Sequence, residues 1–128
     1  MTRILLVEDS DDVLYILRTE LELMGYVVDI ATDGSAGIDI ARRIRPDIIV
    51  SDLRMPVFDG FEFIKYIRQH SSLNAVPAIA LTGMSTQSEV SRAITSGFTA
   101  HLTKPVELDE LMHLIEKLTA TRVQRKAS

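Results

Sequence analysis

Five short apolar runs alternate with five stretches of helical spacing along the whole chain, and this alternation limits the fold more than any other feature. Met1 to Val7, Tyr26 to Ala31, Asp47 to Ser51, Val76 to Leu81 and Phe98 to Thr103 have strand length and strand composition. Between them, Leu14, Leu17, Leu21 and Met24 form a helical stripe stopped by Gly25, and Asp33-Gly34 leads into Ile38, Ala41 and Ile44. Phe61, Ile64, Ile67 and Arg68 mark a third helix ending near residues 70–72. A fourth is expected over Ser85 to Ser96, with Val90, Ala93 and Ile94 as its apolar face and Gly97 as its cap. Pro105 opens a fifth, striped by Leu108, Leu111, Ile115 and Leu118. Regular βα alternation implies an α/β fold, a parallel sheet with right-handed crossovers and helices on both faces. No linker or low-complexity stretch interrupts it, so residues 1–120 are expected to form one domain. Residues 121–128, with Arg122, Arg125 and Lys126, read as a short, flexible basic tail.

Composition removes several function classes. There are no cysteines, which excludes disulfides and thiolate metal sites, and His70, His101 and His113 lack ligand spacing for zinc. No apolar run approaches the ~20 residues of a membrane span, and no signal peptide opens the chain, so a cytoplasmic protein is expected. The formal net charge is −4; without the three basic residues of the tail, 11 basic face 18 acidic side chains, a balance of −7. The body of the domain therefore lacks the basic face that phosphate contacts of nucleic acid require.

In open sheets of this kind, ligands bind outside the carboxyl ends of the strands. Strand three stops at Asp52, and Pro56 and Asp59-Gly60 then force a turn, which sets the carboxylate at a sheet edge within reach of water. Glu8 and Asp9 stand at the end of strand one, Thr82 at the end of strand four and Lys104 after strand five. Singly, these are a helix cap, a turn residue and a surface charge. Together they are three repelling carboxylates, a hydroxyl and an ammonium on one edge. A hard divalent cation such as Mg²⁺ relieves that repulsion, taking carboxylates, backbone carbonyls and retained waters as ligands. Such a site can neutralise and align a phosphoryl group, with Asp52 as the nucleophile that forms an acyl phosphate.

Over residues 3–119 the pattern resembles the receiver domain of two-component response regulators. The matching stretches are Leu6-Val7-Glu8-Asp9, Asp52-Leu53-Arg54-Met55-Pro56 with Asp59-Gly60, Thr82-Gly83, and Lys104-Pro105. The resemblance implies a flavodoxin-like fold of strand order 2-1-3-4-5. It also implies that Asp52 accepts a phosphoryl group from a histidine kinase or histidine phosphotransfer protein. Glu8, Asp9, Asp52 and the backbone carbonyl of Arg54 would hold Mg²⁺, for which Mn²⁺ substitutes. Thr82 and Lys104 would contact the phosphoryl oxygens, with Lys104–Pro105 cis. The family couples movement of the Thr82 position to an aromatic three residues before the lysine; here that residue is His101, whose protonation would tune the switch.

Arg54 and Met84, two residues after the acceptor and after the switch threonine, occupy positions that vary in the family with phosphoryl lifetime. Neither orients a hydrolytic water, so slow self-dephosphorylation is expected, with Arg54 covering the site or pairing with Glu8 and Met84 as an apolar lid. Val13 and Ile16, off the first helix's stripe, are expected as a partly buried apolar face that docks the histidine-bearing helix beside Asp52, with Pro105 alongside. Arg92, His101, Asp109, Glu110 and His113 would lie on the output surface. They form no dimer seam, and a monomer is expected. No effector domain is expected after the last helix, which fits a single-domain regulator or a receiver excised from a hybrid histidine kinase; the Gly97–Val106 stretch resembles the latter. A phosphatase of the haloacid dehalogenase type would need a second aspartate where Arg54 stands. A flavin-binding module would need a Ser/Thr/Gly-rich phosphate loop where Glu8-Asp9-Ser10-Asp11-Asp12 stands.

Overall fold

The computed structural model describes residues 1–84 and 86–127, with side chains described through residue 120. Strands β1 (Arg3–Val7), β2 (Val27–Ala31), β3 (Ile48–Asp52), β4 (Ala78–Thr82) and β5 (Ala100–Thr103) alternate with helices α1 (Asp11–Leu23), α2 (Gly34–Ile44), α3 (Gly60–Gln69), α4 (Gln87–Ser96) and α5 (Leu108–Ala127). All pairings are parallel, in the order β2-β1-β3-β4-β5, the flavodoxin-like arrangement expected.

The continuous apolar strands divide by their two-residue period into two cores. Leu5, Val7, Ile49, Ala78 and Ala80 pack with Ile38 and Ala41 of α2, Phe61, Phe63, Ile64 and Ile67 of α3, and Ala93 of α4. Ile4, Leu6, Ile48, Val50, Ile79 and Leu81 pack on the other face, with Leu14, Leu17 and Leu21 of α1 and Leu111 and Ile115 of α5. Burying each large side chain is worth about 1.5–3 kcal/mol, so both faces must be covered for the sheet to hold.

Helix starts follow side-chain capping. Ser10, rather than Glu8 or Asp9, caps α1, and Asp33, Asp59 and Thr86 cap α2, α3 and α4. Three expectations are corrected. Met24 is not on the buried stripe of α1 but caps its exposed end, with Gly25 behind it at φ +95°. The buried face of α4 is Glu89, Ala93 and Ser96, with Val90 half-buried and Ile94 exposed. Helix α5 begins at Leu108, because cis-Pro105 is followed by two further non-helical residues. Its backbone continues through Ala127, across the segment expected as a tail. The expected start of the fourth helix, Ser85, lies outside the described residues.

One polar side chain secures the end of the sheet away from the acidic cluster. From the last turn of α3, Arg68 donates to the carbonyls of Gly97 (2.8 Å), Val76 (2.6 Å), Asn74 (3.3 Å) and Leu73 (3.4 Å). It thereby ties α3, the loop into β4 and the end of α4 together. Gly97 has φ +133°, and a Cβ there would come within 2.7 Å of the Arg68 side chain, so both backbone and packing require glycine. Arg68→Met keeps the apolar stem but strands these carbonyls; it should lower unfolding stability by about 2–3 kcal/mol in urea titration, with Arg68→Lys recovering only part.

Candidate functional site

The carboxyl ends of β1, β3, β4 and β5 meet where the strand order places them side by side. Glu8 follows β1, Asp52 closes β3, Thr82 closes β4 and Lys104 follows β5. Lys104 Nζ lies 3.0 Å from Asp52 Oδ2 and 3.2 and 3.4 Å from the two Glu8 carboxylate oxygens. Its own backbone N–H donates to the Thr82 carbonyl at 2.8 Å, which fixes the start of the stem. Glu8 is 1% exposed and Asp52 4%, so Asp52 is less open to water than a residue at a strand's edge was expected to be. Asp9 is exposed.

Charge does not balance here. Glu8, Asp9 and Asp52 each bring a carboxylate oxygen within 4.8 Å of the other two, against a single ammonium. Burial and then the charge of Asp52 push the Glu8 carboxyl above its ordinary range, although Lys104 opposes both. Burial works against the Lys104 ammonium, but its hydrogen bond to Asp52, the charge of Asp52 and the two contributions from Glu8 together raise its pKa. Lys104 therefore stays charged, and an excess of clustered oxygen donors remains. That donor set suits a hard divalent cation and no thiophilic metal.

The loop after Asp52 is tightly held. The Arg54 N–H donates to Asp52 Oδ1 at 3.3 Å, and the Gly60 N–H donates to the Leu53 carbonyl at 3.0 Å. A Cβ on Gly60 would sit 2.2 Å from the Asp52 carbonyl oxygen, so α3 can start this close to the acceptor only with glycine there. Val57, fully exposed, has φ +67°, and the Phe58 N–H bonds back to the Pro56 carbonyl at 2.7 Å. A β-branched residue in that conformation is strained.

The remaining candidates divide. The Thr82 hydroxyl is engaged with the next loop, donating to the Met84 carbonyl at 2.7 Å and accepting from the Met84 N–H at 3.0 Å. The Met84 side chain is exposed. His101 is half-buried on β5, opposite Ala80, and lines a cleft with Lys104, Pro105, Glu107 and Glu110. Arg92, Asp109, Glu110 and His113 are exposed, as expected. Val13 is half-buried against the second core, whereas Ile16 is 53% exposed and, with exposed Tyr15, stands proud of α1.

Arg54 does not pair with Glu8. Its Nη2 lies 2.7 Å from Glu89 Oε2, and its guanidinium carbon lies 5.7 Å from the centroid of the Phe61 ring. Arg92 stacks on the same ring at 3.9 Å. Glu89 is not among the residues singled out from the sequence, which takes Val90, Ala93 and Ile94 as the buried face of this helix. Thr86-Gln-Ser-Glu89 is the sequence of a capping box, which would have turned Glu89 back toward the strand ends.

Residues 4–116 match the family model described as the response regulator receiver domain. An uncharacterized 14.6 kDa protein of Leptolyngbya boryana is 38% identical over 89% of this chain and 87% of its own length. The Vibrio cholerae chemotaxis protein CheY4 superposes with a TM-score of 0.88 at 31% identity, covering 92% of this chain and 98% of that one. The receiver domain of a Pseudomonas aeruginosa sensor histidine kinase, solved with a magnesium ion coordinated in its active site cleft, gives a TM-score of 0.87 at 32% identity, over 93% and 98%. Some other curated relatives are longer, and the chain spans 27–49% of three of these, whereas it spans 99% of the Pseudomonas aeruginosa protein PilH, at 32% identity over 94% of this chain. Fold, strand-end residues and family match agree: the chain belongs to the response regulator receiver domain family of two-component signalling.

Proposed function

We propose that the chain is a Mg²⁺-dependent phosphoacceptor switch, in which Asp52 takes a phosphoryl group from the phosphohistidine of a cytoplasmic histidine kinase or phosphotransfer protein. The observation that carries this reading is Lys104 Nζ seated between Asp52 and Glu8, within a cluster of three carboxylates that it neutralises only in part. Glu8, Asp9, Asp52 and the main-chain carbonyl of Arg54 would hold Mg²⁺, or Mn²⁺ in its place; bound there, the ion supplies the positive charge that the carboxylates and an incoming phosphoryl group require.

The chain's own groups do the rest. A carboxylate oxygen of Asp52 attacks phosphorus in line with the imidazole nitrogen; the O–P bond forms as the P–N bond breaks, and the electron pair leaves with the donor histidine. Lys104, kept protonated by its neighbours, stabilises charge on the transferred oxygens as a point charge. Thr82 can donate to them only by giving up the hydrogen bond its hydroxyl donates to the Met84 carbonyl, so a phosphoryl group and the β4–α4 loop compete for one hydroxyl proton. Withdrawal of that hydroxyl leaves room beside β5 for His101, half-buried, to turn inward and carry the change to the cleft it lines. The protein acts as a signalling module, as a stand-alone regulator or as the receiver of a hybrid kinase, and does not turn over a substrate.

Incubation with Mg²⁺ and acetyl phosphate should add one phosphoryl group to the intact mass of the wild-type chain and none to Asp52→Asn; an unmodified wild type would defeat the proposal. Arg54 and Met84 present no group that orients water at the acyl phosphate, and slow self-dephosphorylation follows. Arg54→Asn combined with Met84→Glu should raise the hydrolysis rate by about tenfold or more, followed as decay of the phosphoryl adduct. Val13 and Ile16 with Pro105 are proposed to dock the histidine-bearing helix. Replacing Val13 and Ile16 by Ala should slow transfer from the cognate phosphohistidine protein about tenfold and leave acetyl phosphate labelling intact, and equal loss with both donors would refute the docking role.

A further inference from the structure

We propose that Glu89 is a positioning residue that parks Arg54 away from the acid cluster, and that Arg92 takes over Glu89 when Asp52 carries a phosphoryl group. The inference rests on the phosphoacceptor reading of Asp52 and adds a second route from that site to α4, separate from Thr82 and His101.

Glu89 lies in the first turn of α4 and is only 6% exposed. Its Oε2 is bonded to Arg54 Nη2, but its buried Oε1 has no hydrogen-bond partner among the described residues. A buried carboxylate with an unused acceptor is costly and asks for a second donor. Arg92 stands three residues along the same helix, the spacing at which side chains meet. Its guanidinium lies over Phe61, the ring that Arg54 also approaches. Two cations and one carboxylate thus share a single aromatic floor at the start of α3.

Arg54 is also joined to the acceptor, since its backbone N–H already bonds to Asp52 Oδ1. A phosphoryl group on Asp52 places new anionic oxygens two residues from the Arg54 side chain, and guanidinium groups bind such oxygens in pairs. Were Arg54 to turn to them alone, Glu89 would be left charged, buried and unpaired, which the fold resists. Arg92 removes that obstacle by moving from the ring face to Glu89. The exchange converts a charge change at Asp52 into a new salt bridge within the first two turns of α4. It draws Arg92 off the exposed surface of that helix, where a partner would read it.

The test is proton exchange of the arginine side chains in ¹⁵N-labelled protein, with and without Mg²⁺ and beryllofluoride, which mimics the phosphoryl group. In the wild type alone, Arg54 guanidinium protons should exchange at least fivefold more slowly than those of Arg92. With the mimic bound, shown by displacement of the Asp52 amide resonance, Arg92 protons should slow at least fivefold as Arg92 bonds Glu89, and the Arg54 guanidinium protons should lose their nuclear Overhauser contacts with the Glu89 side chain. In Arg92→Gln, which leaves the acid cluster untouched, Arg54 should keep those contacts with the mimic bound because Glu89 has no substitute. Unchanged Arg92 exchange in the wild type with the mimic bound overturns the handover alone, as does equal loss of the Arg54–Glu89 contacts in Arg92→Gln. Failure of the mimic to bind wild type overturns the phosphoacceptor reading and this inference with it.

Discussion

The ammonium of Lys104 between Asp52 and Glu8 is the interaction on which the rest of the site depends. Two carboxylates as buried as these do not sit side by side without a cation, and Lys104 is the only one within bonding distance of both among the described residues. The sheet order makes this possible, because β1, β3, β4 and β5 are successive neighbours and the residues that follow or close them are brought to one edge. One ammonium cannot neutralise three carboxylates, and burial, followed by the charge of Asp52, pushes the Glu8 carboxyl upward in pKa. The fold therefore holds a site with an excess of carboxylate over ammonium. Under the proposed function, that incompleteness is the physical basis of the switch.

Much of this was legible from residue order because local chemistry and global fold agree. Strands buried on both faces must be apolar throughout, so Ile4-Leu5-Leu6-Val7 and Ile48-Ile49-Val50 announce themselves. The strand-end residues were legible for the complementary reason: polar groups that terminate apolar runs in a parallel sheet have one edge to go to. Helix caps were read less well, since Ser10 stands beside Glu8 and Asp9 and all three can cap; only the geometry assigns Ser10 to α1 and frees the two carboxylates for the cluster.

The misreadings around α4 share one cause. Periodicity assigns a helix face by hydrophobicity, which works for α2, α3 and, up to its cap at Met24, α1, but on α4 a charged residue faces an arginine from another loop. Glu89 is buried and paired with Arg54, 35 positions earlier, while Ile94 is exposed. Arg54 itself was placed near Glu8 because both follow strands at the same edge. Yet Glu8 is already held by Lys104, and Arg54 points across Phe61 toward α4 instead. Long-range ion pairs carry no period, so no pattern along the chain reveals them.

The two sides of the acceptor differ in their freedom to move. On the β3–α3 side, Gly60 crowds the Asp52 carbonyl, Val57 holds a strained turn, and Asp59 caps α3; a shift there must disturb several contacts at once. On the β4–α4 side, among the described residues, the Thr82 hydroxyl makes two hydrogen bonds to Met84, and Glu89 of α4 pairs with an arginine whose side chain is largely exposed. Each of those contacts ends on a group that a phosphoryl oxygen would attract, the Thr82 hydroxyl and the Arg54 guanidinium. Under the proposed function, a charge added at Asp52 would meet a rigid wall on one side and, among the described residues, exchangeable contacts on the other. Its response would then be directed into α4 and β5, where the least must be broken.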